Sequence, residues 1–102
     1  MIHTEPIWIE DQGFTFVHVE LPKTDLLVIY NDIGYIMCGA LDVDLLNDRL
    51  KDRQIVAGRA VGVRNHDELL YAPLQKVTDY AAEKYGWYEG MIGKKALLTL
   101  SE

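Results

Sequence analysis

Residues 26–43 read LLVIYNDIGYIMCGALDV, two apolar runs separated by an Asn-Asp-Ile-Gly loop and followed by an acidic residue. Apolar runs of this length between turn-forming residues are typical of buried strands, and the short loop predicts a hairpin. We therefore expect strands over residues 25–30 and 35–40. From Asp42 the period changes, because Val43, Leu46 and Leu50 recur at helical spacing behind a residue type that caps helices.

The sequence on both sides of this stretch extends the pattern. Two further strands are predicted before it, over residues 2–10 and 14–21. After it we expect a helix over 42–53, a strand over 55–64, a short helix capped by Asn65, a helix over 73–85, and a helix or strand over 93–100. Hairpins followed by helices predict a single α+β domain over residues 1–102. Its architecture is a two-layer sandwich, an antiparallel or mixed sheet with helices packed mainly on one face.

Charge and composition exclude several classes of partner. The chain carries 10 Lys and Arg against 16 Asp and Glu, a net charge of -6, and its basic residues are scattered. Nucleic acids and anionic membranes require a basic surface, so neither is expected as a partner. There is one cysteine, no signal-peptide pattern at the N-terminus and no apolar run that could span a bilayer. These features predict a cytoplasmic location.

Three stretches carry a resemblance to a known family. They are residues 26–43, the segment AGRAVGV at residues 57–63, and the closing pattern Gly90-Met91-x-Gly93-x-x-Ala96-Leu97. In these stretches the chain resembles the YunC-like family, a domain of unknown function found in bacilli and archaea. The resemblance covers the whole chain and implies a compact two-layer α/β sandwich. It implies no reaction, substrate or cofactor, and it supplies no site residues.

Small residues alternate along the predicted strand 55–64, where Val56, Gly58, Ala60 and Gly62 share one face. Glycine inside a strand lowers stability and packs nothing, so another body is expected close to this backbone. That body is a core helix, a partner subunit or a bound small molecule. The last alternative makes Gly58 and Gly62 candidate ligand-binding residues.

Two arginines form a candidate anion site. Arg59 stands in an apolar row and needs either a partner of opposite charge or a route to solvent at a sheet edge. Arg64 ends the predicted strand just before the cap Asn65, where free backbone amides favour an anion. Arg59, Arg64 and Asn65 are therefore the predicted binding residues for a small anionic ligand.

Cys38 is the candidate nucleophile, with His66 or Asp42 as the base, because a reactive thiol needs a nearby proton acceptor. The alternative is an inert core thiol, since the residues around Cys38 are apolar. The three histidines match no metal-binding spacing, and no cofactor or metal is predicted.

The sequence supports two functional hypotheses. The first is a non-catalytic binding or interaction module that forms a homo-oligomer. The second is an enzyme that acts on a small anionic metabolite, with Cys38 as nucleophile. The missing catalytic constellation and the acidic charge favour the first.

Overall fold

The computed structural model describes residues 1–39 and 42–100, and the strands within these ranges form one six-stranded sheet. They lie side by side in the order of the sequence. Neighbouring strands are antiparallel except β4 and β5, which run parallel. Of the two sheet types predicted, antiparallel or mixed, the structure has the mixed one. The strands are β1 (Ile2–Ile9), β2 (Gln12–Leu21), β3 (Thr24–Tyr30), β4 (Gly34–Met37), β5 (Val56–Arg59) and β6 (Lys76–Val77).

The helices are short, and three of them begin at side-chain caps. The helices are α1 (Val43–Asp48), α2 (His66–Tyr71), α3 (Asp79–Tyr85) and α4 (Gly93–Leu98), with a 3-10 turn at Lys51–Arg53. The side chains of Asp42, Asn65 and Thr78 each accept a hydrogen bond from a backbone N–H in the first turn of α1, α2 and α3 respectively. Such caps satisfy amides that the helix itself leaves unpaired.

The main core lies between one face of the sheet, here called the inner face, and helices α2 and α4. Alternate residues of β2, β3 and β4 point into it, as a period of two requires. Its central members are Phe14, Phe16, Leu27, Ile29, Ile36, Leu69, Leu70 and Leu97. Trp87 closes the core near β5, and its indole N–H donates to Thr99 Oγ1 over 2.7 Å.

Helix α1 lies on the opposite side, here called the outer face. Val43 and Leu46 pack there against Ala57, together with Tyr35 and Met37. The chain therefore crosses from β4 to the parallel strand β5 over the outer face. It then passes from β5 to α2 on the inner face. The helices thus lie mainly on one face, as predicted.

Several predicted boundaries differ from the structure. The helix predicted over 42–53 ends at Asp48 and is followed by the 3-10 turn, and the fourth strand ends at Met37. The helix predicted over 73–85 is wrong in its first half, residues 73–78, because the N–H groups of Gln75 and Thr78 donate to Arg59 O and Ala57 O. This pairing makes β6, and α3 begins only at Asp79. The strand predicted over 55–64 ends at Arg59, and the last element is the helix α4. Ala40, the predicted end of the fourth strand, lies outside the described residues.

Candidate functional site

Cys38 follows β4 directly and is 6 % exposed. Its Sγ accepts a hydrogen bond from Leu27 N–H at 3.4 Å and donates to Asp25 O at 3.7 Å. The thiol is therefore held in the sheet by the neighbouring strand β3. Both interpretations of Cys38, as an inert core thiol and as a nucleophile, must account for these two hydrogen bonds.

Cys38 also forms part of the wall of a cavity of about 420 Å³ that opens to solvent, here called the Cys38 cavity. The cavity is lined by Thr24, Asp25, Cys38, Gly39, Val63 and Arg64. Two residues singled out from the sequence, Cys38 and Arg64, thus line one cavity. The lining residues carry a thiol, a carboxylate, a hydroxyl and a guanidinium group.

The loop that carries Arg64 is fixed by a reciprocal cap. Arg64 N–H donates to Glu68 Oε1 over 2.6 Å, and Glu68 N–H donates to Asn65 Oδ1 over 2.8 Å. The arrangement differs from a capping box by one residue, because Glu68 accepts from the N–H of Arg64 and not from that of the N-cap Asn65, whose side chain is engaged at the start of α2. Asn65 therefore serves as the N-cap of α2, and the Glu68 carboxylate holds the Arg64 backbone in place.

Arg59 lies on the other side of the sheet from Cys38. Arg59 alternates with the buried outer-face residue Ala57, whereas Cys38 belongs to the inner-face core. On the outer face Lys76 Nζ lies 2.6 Å from Asp44 Oδ1. The hydrogen bond and charge of the Lys76 ammonium hold the pKa of Asp44 below its ordinary value, and the Arg59 guanidinium adds a smaller lowering. The sequence-predicted pair Arg59 and Arg64 is therefore divided between the two faces.

The small-residue positions of β5 have a packing cause. A Cβ on Gly58 would lie 2.8 Å from Leu74 Cδ1 and 3.3 Å from Trp87 Cζ3, so the close body is the chain's own core. Gly62 lies beyond the strand with a φ of +75°, a left-handed conformation that favours glycine. The structure brings neither glycine into the lining of the Cys38 cavity.

The two predicted bases have other contacts. His66 Nε2 lies 3.6 Å from Glu5 Oε1, His66 Nδ1 lies 3.1 Å from Asp67 Oδ1, and the ring packs edge-on against Phe16. Asp42 Oδ1 accepts from Leu45 N–H as the cap of α1. In residues 1–39 and 42–100 no hydrogen bond joins either side chain to Cys38. Their catalytic roles stay predictions.

Sequence reasoning missed Asp25 as a neighbour of Cys38 and of His18. His18 Nε2 lies 3.5 Å from Asp25 Oδ2 and makes no hydrogen bond within the described chain. The β2–β3 register, which sets His18 opposite Leu27, places His18 and Asp25 on the same face as diagonal neighbours. The turn at Pro22-Lys23 was the sequence signal that fixes this register.

A second candidate feature is the outer face of β1–β3, which no described helix covers. We call it the open face, and the strand register arranges it in cross-strand rows. Its members are Ile2, Thr4, Pro6, Trp8, Thr15, Val17, Val19, Leu26, Val28 and Tyr30. Every one of them is uncharged. Ile2 is 70 % and Trp8 71 % exposed, whereas Phe16 on the inner face is 3 % exposed.

Two kinds of feature are absent from the described residues. No described helix is long and apolar enough to cross a membrane. In the same part of the chain no three His, Cys, Asp or Glu side chains converge as a metal site would require.

Comparison with known proteins gives a family. The model of a domain of unknown function, DUF1805, matches residues 37–100. An uncharacterised protein, YunC of Bacillus subtilis (strain 168), is 61% identical over 100 residues, 98% of each chain. The crystal structure of a protein of unknown function from Thermoplasma acidophilum has a TM-score of 0.87 at 27% identity, covering 99% of this chain and 94% of the other. The resemblance seen in the sequence is confirmed, and the chain belongs to the DUF1805 family of YunC-like proteins.

Proposed function

We propose that this protein is an interaction module that forms a homodimer by packing two copies of the open face against each other. The observation that carries the proposal is a three-stranded apolar surface without a single charged side chain in a protein with a net charge of -6. Large exposed apolar patches in soluble proteins mark interaction sites.

The charge distribution favours a second copy of this chain as the partner that covers the open face. Two copies that each carry a net charge of -6 repel one another. The repulsion is smallest where the contacting surfaces of both copies carry no charged side chains. The open face meets this condition, because each copy would meet only uncharged side chains in the other. A surface that meets an identical surface forms a closed two-fold dimer.

The size of the open face supports the same arrangement. With a rise of about 3.3 Å per residue and about 4.8 Å between strands, β1–β3 present roughly 400 Å² in projection. Side chains raise the accessible area above this projection, toward the ~800 Å² per partner of a standard interface. Two such sheets pack about 10 Å apart, as in a β-sandwich.

Edge-to-edge pairing through β1 is a poorer alternative. Pro6 lies in the middle of this edge strand and has no N–H to donate to an added strand. The strand therefore resists extension of the sheet, while its outward side chains remain open to face-to-face packing.

Analytical ultracentrifugation of the wild type and of Val17→Lys tests the proposal. Val17 lies between Thr4 and Val28 in a row of the open face, so a lysine there buries two uncompensated charges in the dimer. We expect a dimeric wild type and a monomeric variant with an unchanged far-UV circular dichroism spectrum.

The matched control is Val61→Lys, which makes the same change at a valine that is 51 % exposed and lies off the open face. It should remain dimeric. Thr4→Lys, at an exposed position, repeats the test without risk to folding. A monomeric wild type at high micromolar concentration, or a dimer that survives both open-face substitutions, would contradict the proposal.

A further inference from the structure

The Cys38 cavity lies where the parallel strands β4 and β5 end. Cys38 and Gly39 follow β4, Val63 and Arg64 follow β5, and Thr24 and Asp25 begin the neighbouring strand β3. Its volume of about 420 Å³ falls within the range of small-molecule pockets, roughly 300–1,000 Å³. Of the six lining residues only Thr24 lies on the outer side of β3, two residues before Leu26, so the cavity borders the end of the open face and the other five lie off it.

The topology explains why a crevice forms at this point. The connection that leaves β4 runs to α1 on the outer face, whereas the one that leaves β5 runs to α2 on the inner face. Two adjacent parallel strands whose connections depart to opposite faces leave a gap beyond their carboxyl ends. The strand order does not reverse here as it does in doubly wound sheets, so the crevice rests on the divergence of these two connections.

The walls of the cavity specify the chemistry of a ligand. Arg64 carries a guanidinium group, which recognises carboxylate and phosphate, and its backbone N–H is held by the Glu68 carboxylate. Asp25 contributes a carboxylate, which repels a second negative charge and accepts hydrogen bonds from an ammonium or hydroxyl group. Cys38 lies in the wall with its thiol bonded to β3.

From these observations we infer that the Cys38 cavity binds a small metabolite with one anionic group and one amino or hydroxyl group. The anionic group pairs with Arg64, and the donor group faces Asp25. The ligand covers Cys38 when it is bound. Binding is reversible and requires no bond to the thiol.

Labelling of the single cysteine with monobromobimane measures this binding directly. The probes are L-serine, glycolate and phosphoethanolamine, which carry both kinds of group, with acetate and ethanolamine as probes that carry one each. We expect at least one of the first three to slow labelling of Cys38, and to do so at lower concentration than acetate or ethanolamine. The probe that is most effective identifies whether the anion is a carboxylate or a phosphate.

Arg64→Ala supplies the decisive variant. The Arg64 side chain is exposed and its backbone bond to Glu68 does not depend on it, so the fold should be retained. The loss of a charged hydrogen bond should weaken protection by about tenfold or more. Arg53→Ala removes an exposed arginine that does not line the cavity and should leave protection unchanged.

Amide shifts in ¹H–¹⁵N spectra give a second readout that does not depend on thiol chemistry. Binding in the Cys38 cavity should shift Thr24, Gly39 and Val63 before other amides. The inference is overturned if none of the three bifunctional probes protects Cys38. It is also overturned if Arg64→Ala is protected as well as the wild type, or if the shifts lie elsewhere.

Discussion

Gly58 shows how one missing side chain shapes the core. Leu74 is fully buried and Trp87 is 2 % exposed, and both lie against the place where a Cβ on Gly58 would stand. The glycine therefore permits the close approach of the inner layer to β5 in a densely packed interior.

Gly58→Ala should therefore lower the free energy of unfolding by about 1–3 kcal/mol through overpacking. Urea denaturation followed by circular dichroism measures the change. Gly39→Ala is the control, because its Cβ would meet Val61 Cγ1 at 3.4 Å, an ordinary contact. Equal stability of the two variants would show that Leu74 and Trp87 yield without cost.

The sequence anticipated a close neighbour at Gly58 but not its identity. Alternating small residues indicate that something approaches the backbone, yet they do not distinguish a side chain from a ligand. The sequence pattern also predicted that Gly62 lies in the same strand, but β5 ends at Arg59 and residues 60–64 lie beyond it. The sequence alone does not distinguish a glycine in a turn from a glycine in a strand, because the two differ in the backbone angle φ.

At the level of elements, Thr78 joins β5 to the start of α3. Its hydroxyl accepts from Ala57 N–H at 3.2 Å and Ala81 N–H at 3.3 Å, and donates to Ile55 O at 2.7 Å. One buried side chain thus satisfies backbone groups of two elements.

Thr78→Val keeps the shape but removes all three bonds, and it should destabilise the protein by about 1–3 kcal/mol because buried N–H groups lose their partner. Thr78→Ser keeps the hydroxyl and should cost less, about the value of one methyl group. Urea denaturation compares the two variants. A valine variant that is at least as stable as the serine variant would contradict this role of the hydroxyl.

Most of the strands and helices were predictable from the sequence. The incorrect prediction of helix at residues 73–78 has a physical cause. The caps Asp42 and Asn65 and the strands of the meander follow from local sequence. Leu74, Val77 and Ala81 fit helical spacing equally well, but Gln75 and Thr78 pair with β5. That pairing depends on a strand some 20 residues away, which local periodicity does not report. Asp25, and with it the Cys38 cavity, was missed for the same reason.

On the scale of the whole molecule, charge and apolar surface are separated. The open face is uncharged while the chain carries -6, so dimer formation brings together two negative bodies through a neutral surface. Salt screens the long-range repulsion, with a Debye length of about 10 Å at 0.1 M, but leaves apolar burial intact.

Raising the sodium chloride concentration should therefore tighten the dimer severalfold. Sedimentation equilibrium at several salt concentrations measures the dissociation constant. The opposite trend would mean that ion pairs hold the interface, and the open face would then not be the contact.

Trp8 and Trp87 give the molecule two indole fluorophores in contrasting surroundings. Trp87 is enclosed and bonded to Thr99, while the ring of Trp8 lies against Gly13 with most of its surface in water. In the monomer the red edge of the emission band should therefore come from Trp8 and the blue edge from Trp87, and burial of the open face in the dimer should shift the Trp8 emission to the blue. Unlabelled protein therefore reports its surface and its interior at separate wavelengths.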